Sequence, residues 1–431
     1  MKPVSKILTP GKQVLIANLA TAGLGFITFF MLVRSLDLEV FGEWVLYITS
    51  FNLAEMVRTG LARQAMVHYL VASKSVGNSH YIKSGAFYLS LITGAVAGLV
   101  LLVIYLLFFR GDQTGIAMFF GYYPIVAFFT LIPSFDSWVS QSNGKMLRMS
   151  AMTFIPAFLL SIVGVASFFI NISLTQLIIA HAVIRVLLSA IAFFTNSAVR
   201  LSIIKPAFNE VRLLWKYGKF SIATLLGTNL LKSADNFLIG YFLGPAAVAI
   251  YNVPLKLLEI AEIPARSVGQ IMFPRLSKLF SNGNLKEMSS QLVNRSIKMS
   301  MVYLPFTVIA FFAAEWVVVL IGGSDVADGA IVLQIFLLYV LVLPIDRLIG
   351  VSIDSTGAPK YNSLKVWAMV ILNVVGDIIA LYVFDSMALV ALVTVINALA
   401  GVLLGFMLFR RKVGPQNISF KLKFKSKPNV A

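Results

Sequence analysis

SGAFYLSLITGAVAGLVLLVIYLLFF, residues 84–109, runs for 26 residues without a charged side chain. At about 1.5 Å of rise per residue a helix of this length reaches ~39 Å, more than the roughly 30 Å hydrocarbon core of a bilayer. In lipid every backbone polar group must be bonded within the segment, so the run is read as a transmembrane helix. The chain repeats the pattern. Runs at 13–33, 42–62, 84–109, 115–139, 151–170, 174–196, 219–242, 246–272, 299–321, 330–351, 362–383 and 386–409 are read as twelve spans. Turn residues such as Gly111-Asp112, Leu243-Gly244-Pro245 and Gly322-Gly323-Ser324-Asp325 punctuate them. Composition agrees, since 59% of the 431 residues are hydrophobic and 12% charged, against about 25% charged in a soluble domain. The expected fold class is an all-α polytopic membrane protein. Its basic start (Lys2, Lys6, Lys12) precedes an apolar run too long for a signal-peptide core, which predicts an uncleaved first helix.

The net charge of +17, from 35 Lys and Arg against 18 Asp and Glu, admits nucleic acid, a membrane face or an acidic substrate as its cause. Placement decides between them. With the N-terminus cytoplasmic, inner segments hold 26 basic residues and outer ones hold Arg34 and Arg110 alone, with seven acids. That bias predicts both termini inside, and it absorbs the surplus without nucleic acid. Cysteine is absent, which excludes disulfides, thiol catalysis and Cys-ligated metal centres. The three histidines (His68, His80, His181) are far apart, so no His-built metal site is expected.

Residues 36–44 (LDLEVFGEW) align without gaps on 243–251 (LGPAAVAIY), an offset of 207 that also lays Leu53-Ala54-Glu55 on Ile260-Ala261-Glu262. Pro133, Asp136 and Gly144-Lys145 match Pro344, Asp346, Gly357 and Lys360 with small gaps. Together these predict a six-plus-six repeat in which both halves share one orientation, two six-helix bundles around a central cleft. The expected division is 1–196 for the first bundle, 197–218 for a basic cytoplasmic linker, 219–409 for the second bundle and 410–431 for a basic tail. Such bundles suit alternating access, and the sequence reads as a transporter.

Seven basic residues (Arg58, Arg63, Arg185, Lys232, Lys256, Arg266, Arg347) and eight acidic ones (Glu55, Asp136, Asp235, Glu259, Glu262, Glu315, Asp346, Asp377) fall within or at the ends of spans. A charge at the bilayer centre costs at least about 2.5–3.5 kcal/mol, so these residues face protein or water. In span eight Asn252, Lys256, Glu259, Glu262, Arg266 and Gln270 recur every three or four residues, within an arc of roughly 120°. Span two carries Asn52, Glu55, Thr59 and Arg63 on one face with Arg58 to the side, and span seven carries Asn229, Lys232 and Asn236 with Asp235 beside them. A wet cleft between these three spans is expected. The plainer reading is self-neutralisation: Lys256 with Glu259, Glu262 with Arg266, and Asp346 with Arg347 as ion pairs. Likewise, His181 and Arg185, one turn apart, read as a packing pair. Glu315 and Asp377 lack sequence-near partners, so each is either protonated in place or a carrier of the coupling ion.

These residues resemble a known family, the Wzx-type polysaccharide flippases of the multidrug/oligosaccharidyl-lipid/polysaccharide exporter superfamily. The likeness is carried by Arg34-Ser35-Leu36-Asp37 with Phe41-Gly42, Asp235-Asn236-Phe237-Leu238-Ile239-Gly240, Leu243-Gly244-Pro245 with Tyr251, Phe273-Pro274-Arg275-Leu276-Ser277, and Asp354-Ser355-Thr356-Gly357 with Lys360. Asp37-Leu38 stands where the family commonly has Gly-Pro. The resemblance implies a multi-pass protein of the bacterial inner membrane that flips polyprenyl-diphosphate-linked oligosaccharide to the outer leaflet, for O-antigen, capsule or exopolysaccharide. The implied coupling ion is Na+ or H+, and the implied partners are the phospholipid bilayer and polysaccharide polymerase or chain-length machinery. Cations Arg58, Arg63, Lys232, Lys256 and Arg266 suit the diphosphate, and Asn229, Asn252 and Gln270 suit the sugars. The ion-coupling candidates are Glu55, Asp235, Glu259 and Glu262. The rivals are a multidrug or lipid II exporter of the same superfamily and, in another class, a membrane glycan polymerase or ligase, which would need larger outer loops or a membrane-face carboxylate/His motif.

Overall fold

The structure is a computed structural model that describes residues 10–72, 79–204 and 208–417. Lys2, Lys6, Lys74, Lys205 and the tail cations Lys421, Lys423, Lys425 and Lys427, which contribute to the topology signal, lie outside the described residues. Among the described residues there is no strand. The helices are α1 (Pro10–Ser35), α2 (Leu38–Ala72), α3 (Ser79–Phe108), α4 (Gly115–Ser142), α5 (Met146–Ala166), α6 (Leu174–Thr195) and a short α7 (Ser197–Ile204). They continue as α8 (Phe208–Phe242), α9 (Pro245–Ser281), α10 (Leu285–Phe312), α11 (Ala314–Gly322), α12 (Gly329–Ser355), α13 (Pro359–Phe384) and α14 (Met387–Val413).

Among the described residues nine helices are long and apolar enough to cross a membrane: α1, α3 to α6, α10 and α12 to α14. The other three expected spans lie in α2, α8 and α9, which are 35, 35 and 37 residues long. Length is therefore not what sets them apart. They carry the polar and charged residues, which lower their hydropathy and mark them as helices facing protein or water. The ninth expected span, 299–321, is interrupted: α10 ends at Phe312 and α11 starts at Ala314, with Ala313 at ψ 9° between them. Within the expected 197–218 linker the described residues are helical, in α7 and the first turns of α8, while 205–207 lie outside the described residues. Arg410, Arg411 and Lys412 occupy the last turn of α14, where they favour the negative end of the helix dipole.

Packing divides the chain into two compact units, Met1–Leu226 and Gly227–Ala431, with the division inside α8. Each is organised around one helix. In the first unit α4 packs against α2, α3, α5 and α6; in the second α12 packs against α9, α10, α13 and α14. Counting six spans onward maps one set onto the other, so the repeat read from short motifs is a repeat of packing. The remaining pair fits as well. α1 lies on α5, where a Cβ added to Gly164 would touch Met31 and Thr28. In the second unit α8 lies on α13, where a Cβ added to Gly227 would come within 3.0 Å of Val366 and 3.3 Å of Trp367.

Both units turn the same corner after their central helix. α4 ends in Asn143 followed by Gly144 at φ +72°, and α12 ends in Thr356 followed by Gly357 at φ +71°. Only glycine enters that left-handed region without cost, so the aligned glycines mark a shared turn. Asp37 takes the place of Gly244 ahead of α2: its carbonyl accepts the Phe41 amide at 2.9 Å and starts the helix without a Gly-Pro pair.

Close approach at Gly115 makes a stability prediction. A Cβ there would overlap the backbone carbonyl of Glu43, which cannot swing aside. Gly115→Ala is expected to destabilise the purified protein by about 1–3 kcal/mol, read as a lower thermal unfolding midpoint. Gly25→Ala, where nothing lies within 4 Å of the added methyl, should leave the midpoint unchanged.

Candidate functional site

A cavity of about 340 Å³ opens within the second unit, walled by α8, α9, α12, α13 and α14. Its lining includes Asp235 of α8, which is 6% exposed and belongs to a hydrogen-bonded cluster. Tyr251 Oη donates to Asp235 Oδ2 at 2.6 Å, Thr394 Oγ1 approaches the same oxygen at 3.4 Å, and Asn373 Nδ2 donates to Asp235 Oδ1 at 2.8 Å. Asn373 Nδ2 also donates to Asp377 Oδ2 at 2.6 Å, and Asn397 Nδ2 donates to Asn373 Oδ1 at 3.0 Å. One amide thus bridges two buried carboxylates. Asp377 is fully buried, and its Oδ1 has no hydrogen-bond partner among the described residues, nor does Asn397 Oδ1.

Helix geometry explains the convergence. Asn362, Lys365, Asn373 and Asp377 recur along one face of α13, and Thr394 and Asn397 are one turn apart on α14. An orphaned carboxylate oxygen beside a second carboxylate is satisfied by a proton or by a small hard cation with oxygen ligands. Asp235, Asp377, Asn373 and Thr394 are the residues that could hold it. Among the described residues no group of three or more His, Asp or Glu has metal-ligand geometry.

The mouth of this cavity carries charges of both signs. Lys232 of α8 donates to Glu262 of α9 at 2.9 Å, and Lys256 donates to Glu259 at 2.7 Å along α9. Lys365 of α13 pairs with Asp346 of α12. Arg266 and Arg347 line the cavity and make no ion pair among the described residues. Two expected pairings are corrected: Glu262 bonds Lys232 rather than Arg266, and Asp346 bonds Lys365 rather than Arg347. Same-helix pairs are worth only about 0.2–0.5 kcal/mol, so a nearer partner on a neighbouring helix displaces them. Lys256–Glu259 keeps the expected i, i+3 partner.

The remaining residues of the expected set divide between the units. Asn252 is committed within its bundle, donating to Asn236 Oδ1 at 2.9 Å and to the Val248 carbonyl at 2.8 Å. Gln270 is exposed at the far end of the α9 stripe, and Asn229 is half-buried in α8. In the first unit Glu55 and Arg58 form a buried ion pair, with Tyr123 Oη donating to Glu55 Oε1 at 3.5 Å. Arg58 also borders a cavity of about 420 Å³ that is otherwise mostly apolar. Arg63 donates to Gln141 Oε1 from Nε and Nη2 at 3.3 and 3.0 Å.

Sequence reasoning missed Asn373, Thr394 and Asn397, took Tyr251 only as a motif residue, and left Lys365 out of the charges within spans although it lies in the expected 362–383 span and its side chain is buried in α13. Asp377 has the sequence-near partner it was expected to lack, Asn373 one turn earlier. The signal was present as the 362, 365, 373, 377 spacing of polar residues on a helix that is otherwise apolar.

An all-helical membrane fold with an internal repeat and a polar cavity in the second bundle is the class these features define. Residues 31–328 match the model of the family described as polysaccharide biosynthesis protein. The chain belongs to that family. A probable low-salt glycan biosynthesis flippase, Agl15 of Haloferax volcanii, is 24% identical over 192 residues, which is 44% of this chain and 40% of the relative. The chain thus matches under half the length of that relative. Among solved structures, an inward-facing multidrug resistance MATE family transporter of the MOP superfamily superposes with a TM-score of 0.76 at 13% identity, covering 92% of this chain and 94% of the other. The lipid II flippase MurJ in an inward closed conformation superposes with a TM-score of 0.72 at 15% identity, covering 91% and 86%. The fold is therefore the one these transporters share, as the sequence resemblance implied.

Proposed function

We propose that the protein is a cation-coupled flippase that moves a lipid-linked oligosaccharide across the cytoplasmic membrane by alternating access. Family membership supports polysaccharide biosynthesis, and the flippase name of the Haloferax relative supports a glycan cargo on a lipid. The observation that carries the reading is the second-unit cavity, where a buried carboxylate cluster lies behind a mouth with cations unclaimed by carboxylates. Arg266 and Arg347, lacking acidic partners, are the groups for a diphosphate. Asp235 and Asp377 are the groups for Na+ or H+. Transport explains this arrangement better than group transfer. A multidrug exporter shares the fold, but an apolar cargo gains nothing from free guanidinium groups at the mouth.

Export is tested in cells whose own flippase has been deleted and whose surface glycan is scored. Arg266→Ala and Arg347→Ala should each reduce surface glycan to the deletion background or near it while membrane abundance stays normal. Full export by both variants would overturn the cargo assignment.

A further inference from the structure

The first unit holds a cavity that the proposed transport site leaves unused. It measures about 390 Å³ and is lined by residues of α2, α4, α5 and α6, within the roughly 300–1,000 Å³ range of small-ligand pockets. Its ionisable lining residues are Arg63, Arg185 and His181, with Ser134, Ser137 and Thr153 supplying hydroxyls. No Asp or Glu lines it. The second-unit cavity, by contrast, is lined by acids and bases alike.

Arg185 is held for this role. Its Nε donates to His181 Nε2 at 3.2 Å, which makes that nitrogen the acceptor and leaves His181 Nδ1 carrying the proton toward Tyr47 Oη at 3.2 Å. His181 is itself clamped edge-on by Trp44, Tyr47 and Phe51, and the Arg185 guanidinium lies 6.0 Å over the Phe51 ring. Among the described residues Arg185 makes no ion pair, and its Nη groups make no hydrogen bond. A guanidinium fixed by its Nε presents its remaining donors as a fork, which matches the two oxygens of a phosphate or carboxylate. Arg63 and the hydroxyls supply further donors around the same space.

We propose that this cavity is an oxyanion site, in which Arg185, positioned by His181, and Arg63 bind a phosphate or carboxylate group of the cargo. The site rests on the flippase reading only for the source of the anion, which is either the lipid diphosphate or an acidic sugar. A packing pair of His and Arg needs no cavity that is free of acidic lining and offers further donors beside it; an anion site does.

Binding is measured on the full-length protein in detergent, by tryptophan fluorescence through Trp138 in the cavity wall, with pyrophosphate, glucuronate and glucose as probes. Saturable binding of pyrophosphate names the diphosphate as the source, and saturable binding of glucuronate names an acidic sugar; glucose should not bind. Arg185→Gln and Arg63→Gln should each weaken the bound anion on the order of tenfold or more, and Arg185→Lys should recover part of the loss, because lysine keeps the charge without the fork. His181→Phe should weaken binding as well, with the unfolding midpoint showing that the variant remains folded. No binding of either anion by the wild type, or binding unchanged in both arginine variants, overturns the site whether or not the protein flips lipid.

Discussion

Replacing Asp235 by asparagine should uncouple transport from the cation gradient while leaving the protein folded. The side chain keeps its size, and its one amide oxygen can still accept from Asn373 while its amide N–H donates to the Tyr251 hydroxyl oxygen. What it loses is the charge that attracts a proton or Na+ into the cluster. A gradient moves cargo only through a difference in ion affinity between states, and coupling free energies of this kind correspond to about 5–150-fold in affinity. Gradient-driven flipping in proteoliposomes should fall by that order, and residual flipping should no longer respond to pH or Na+. Asp377→Asn should do the same, since its unpartnered oxygen is part of the same cluster. Tyr251→Phe should have a smaller effect, because it removes one hydrogen bond to Asp235 and leaves the carboxylate charge in place. An ion response unchanged in both aspartate variants would refute coupling through this pair.

The largest stability effect is expected at Asp136 and Arg148. Asp136 is fully buried in α4, and Arg148 of α5 donates to both of its oxygens, from Nε at 2.9 and 3.1 Å and from Nη2 at 2.6 Å. Ser140 and Asn196 complete the shell. Arg148→Ala strips the counter-charge and leaves a carboxylate buried, which costs about 3–5 kcal/mol in comparable pairs. The variant should unfold at markedly lower temperature. Adding Asp136→Asn should restore much of the loss, since a neutral amide no longer needs a cation. The Lys256–Glu259 pair is the useful contrast: it is partly exposed, and exposed pairs contribute about 0–1 kcal/mol. Breaking it should leave the midpoint alone.

Asp136–Arg148 has a counterpart in Asp346–Lys365, each joining the central helix of its unit to the helix that follows. The match shows where the sequence could be read and where it could not. Spans were legible because lipid demands long apolar runs, and the repeat was legible because turns demand glycine, as at Gly144 and Gly357. The stripe on α9 was legible because charges at helical spacing stand out in an apolar chain. Its partners were not. Asn373, Thr394 and Asn397 carry no charge; Asn373 and Thr394 meet Asp235 of α8 from more than a hundred residues away and Asn397 meets Asn373, pairings that only helix packing decides. Lys365 was obscured differently. Lying near the start of α13, it sits at the edge of its expected span, and only the Asp346 carboxylate across from it shows that it is buried. In the first unit, the His181–Arg185 spacing suggested packing, and the acid-free cavity beside it is a property of four helices together.

The central claim, that ion movement through the Asp235–Asp377 cluster drives a lipid-linked oligosaccharide across the bilayer, is tested most directly in sealed proteoliposomes. A polyprenyl-diphosphate oligosaccharide is placed in one leaflet, a Na+ or proton gradient is imposed, and arrival in the other leaflet is read with an enzyme or lectin confined to that side. Flipping that accelerates with one of the two gradients in the wild type, and loses that acceleration in Asp235→Asn, is the predicted result. Wild-type protein that moves no lipid-linked glycan under either gradient, or moves it equally well after the aspartate is neutralised, would contradict the account.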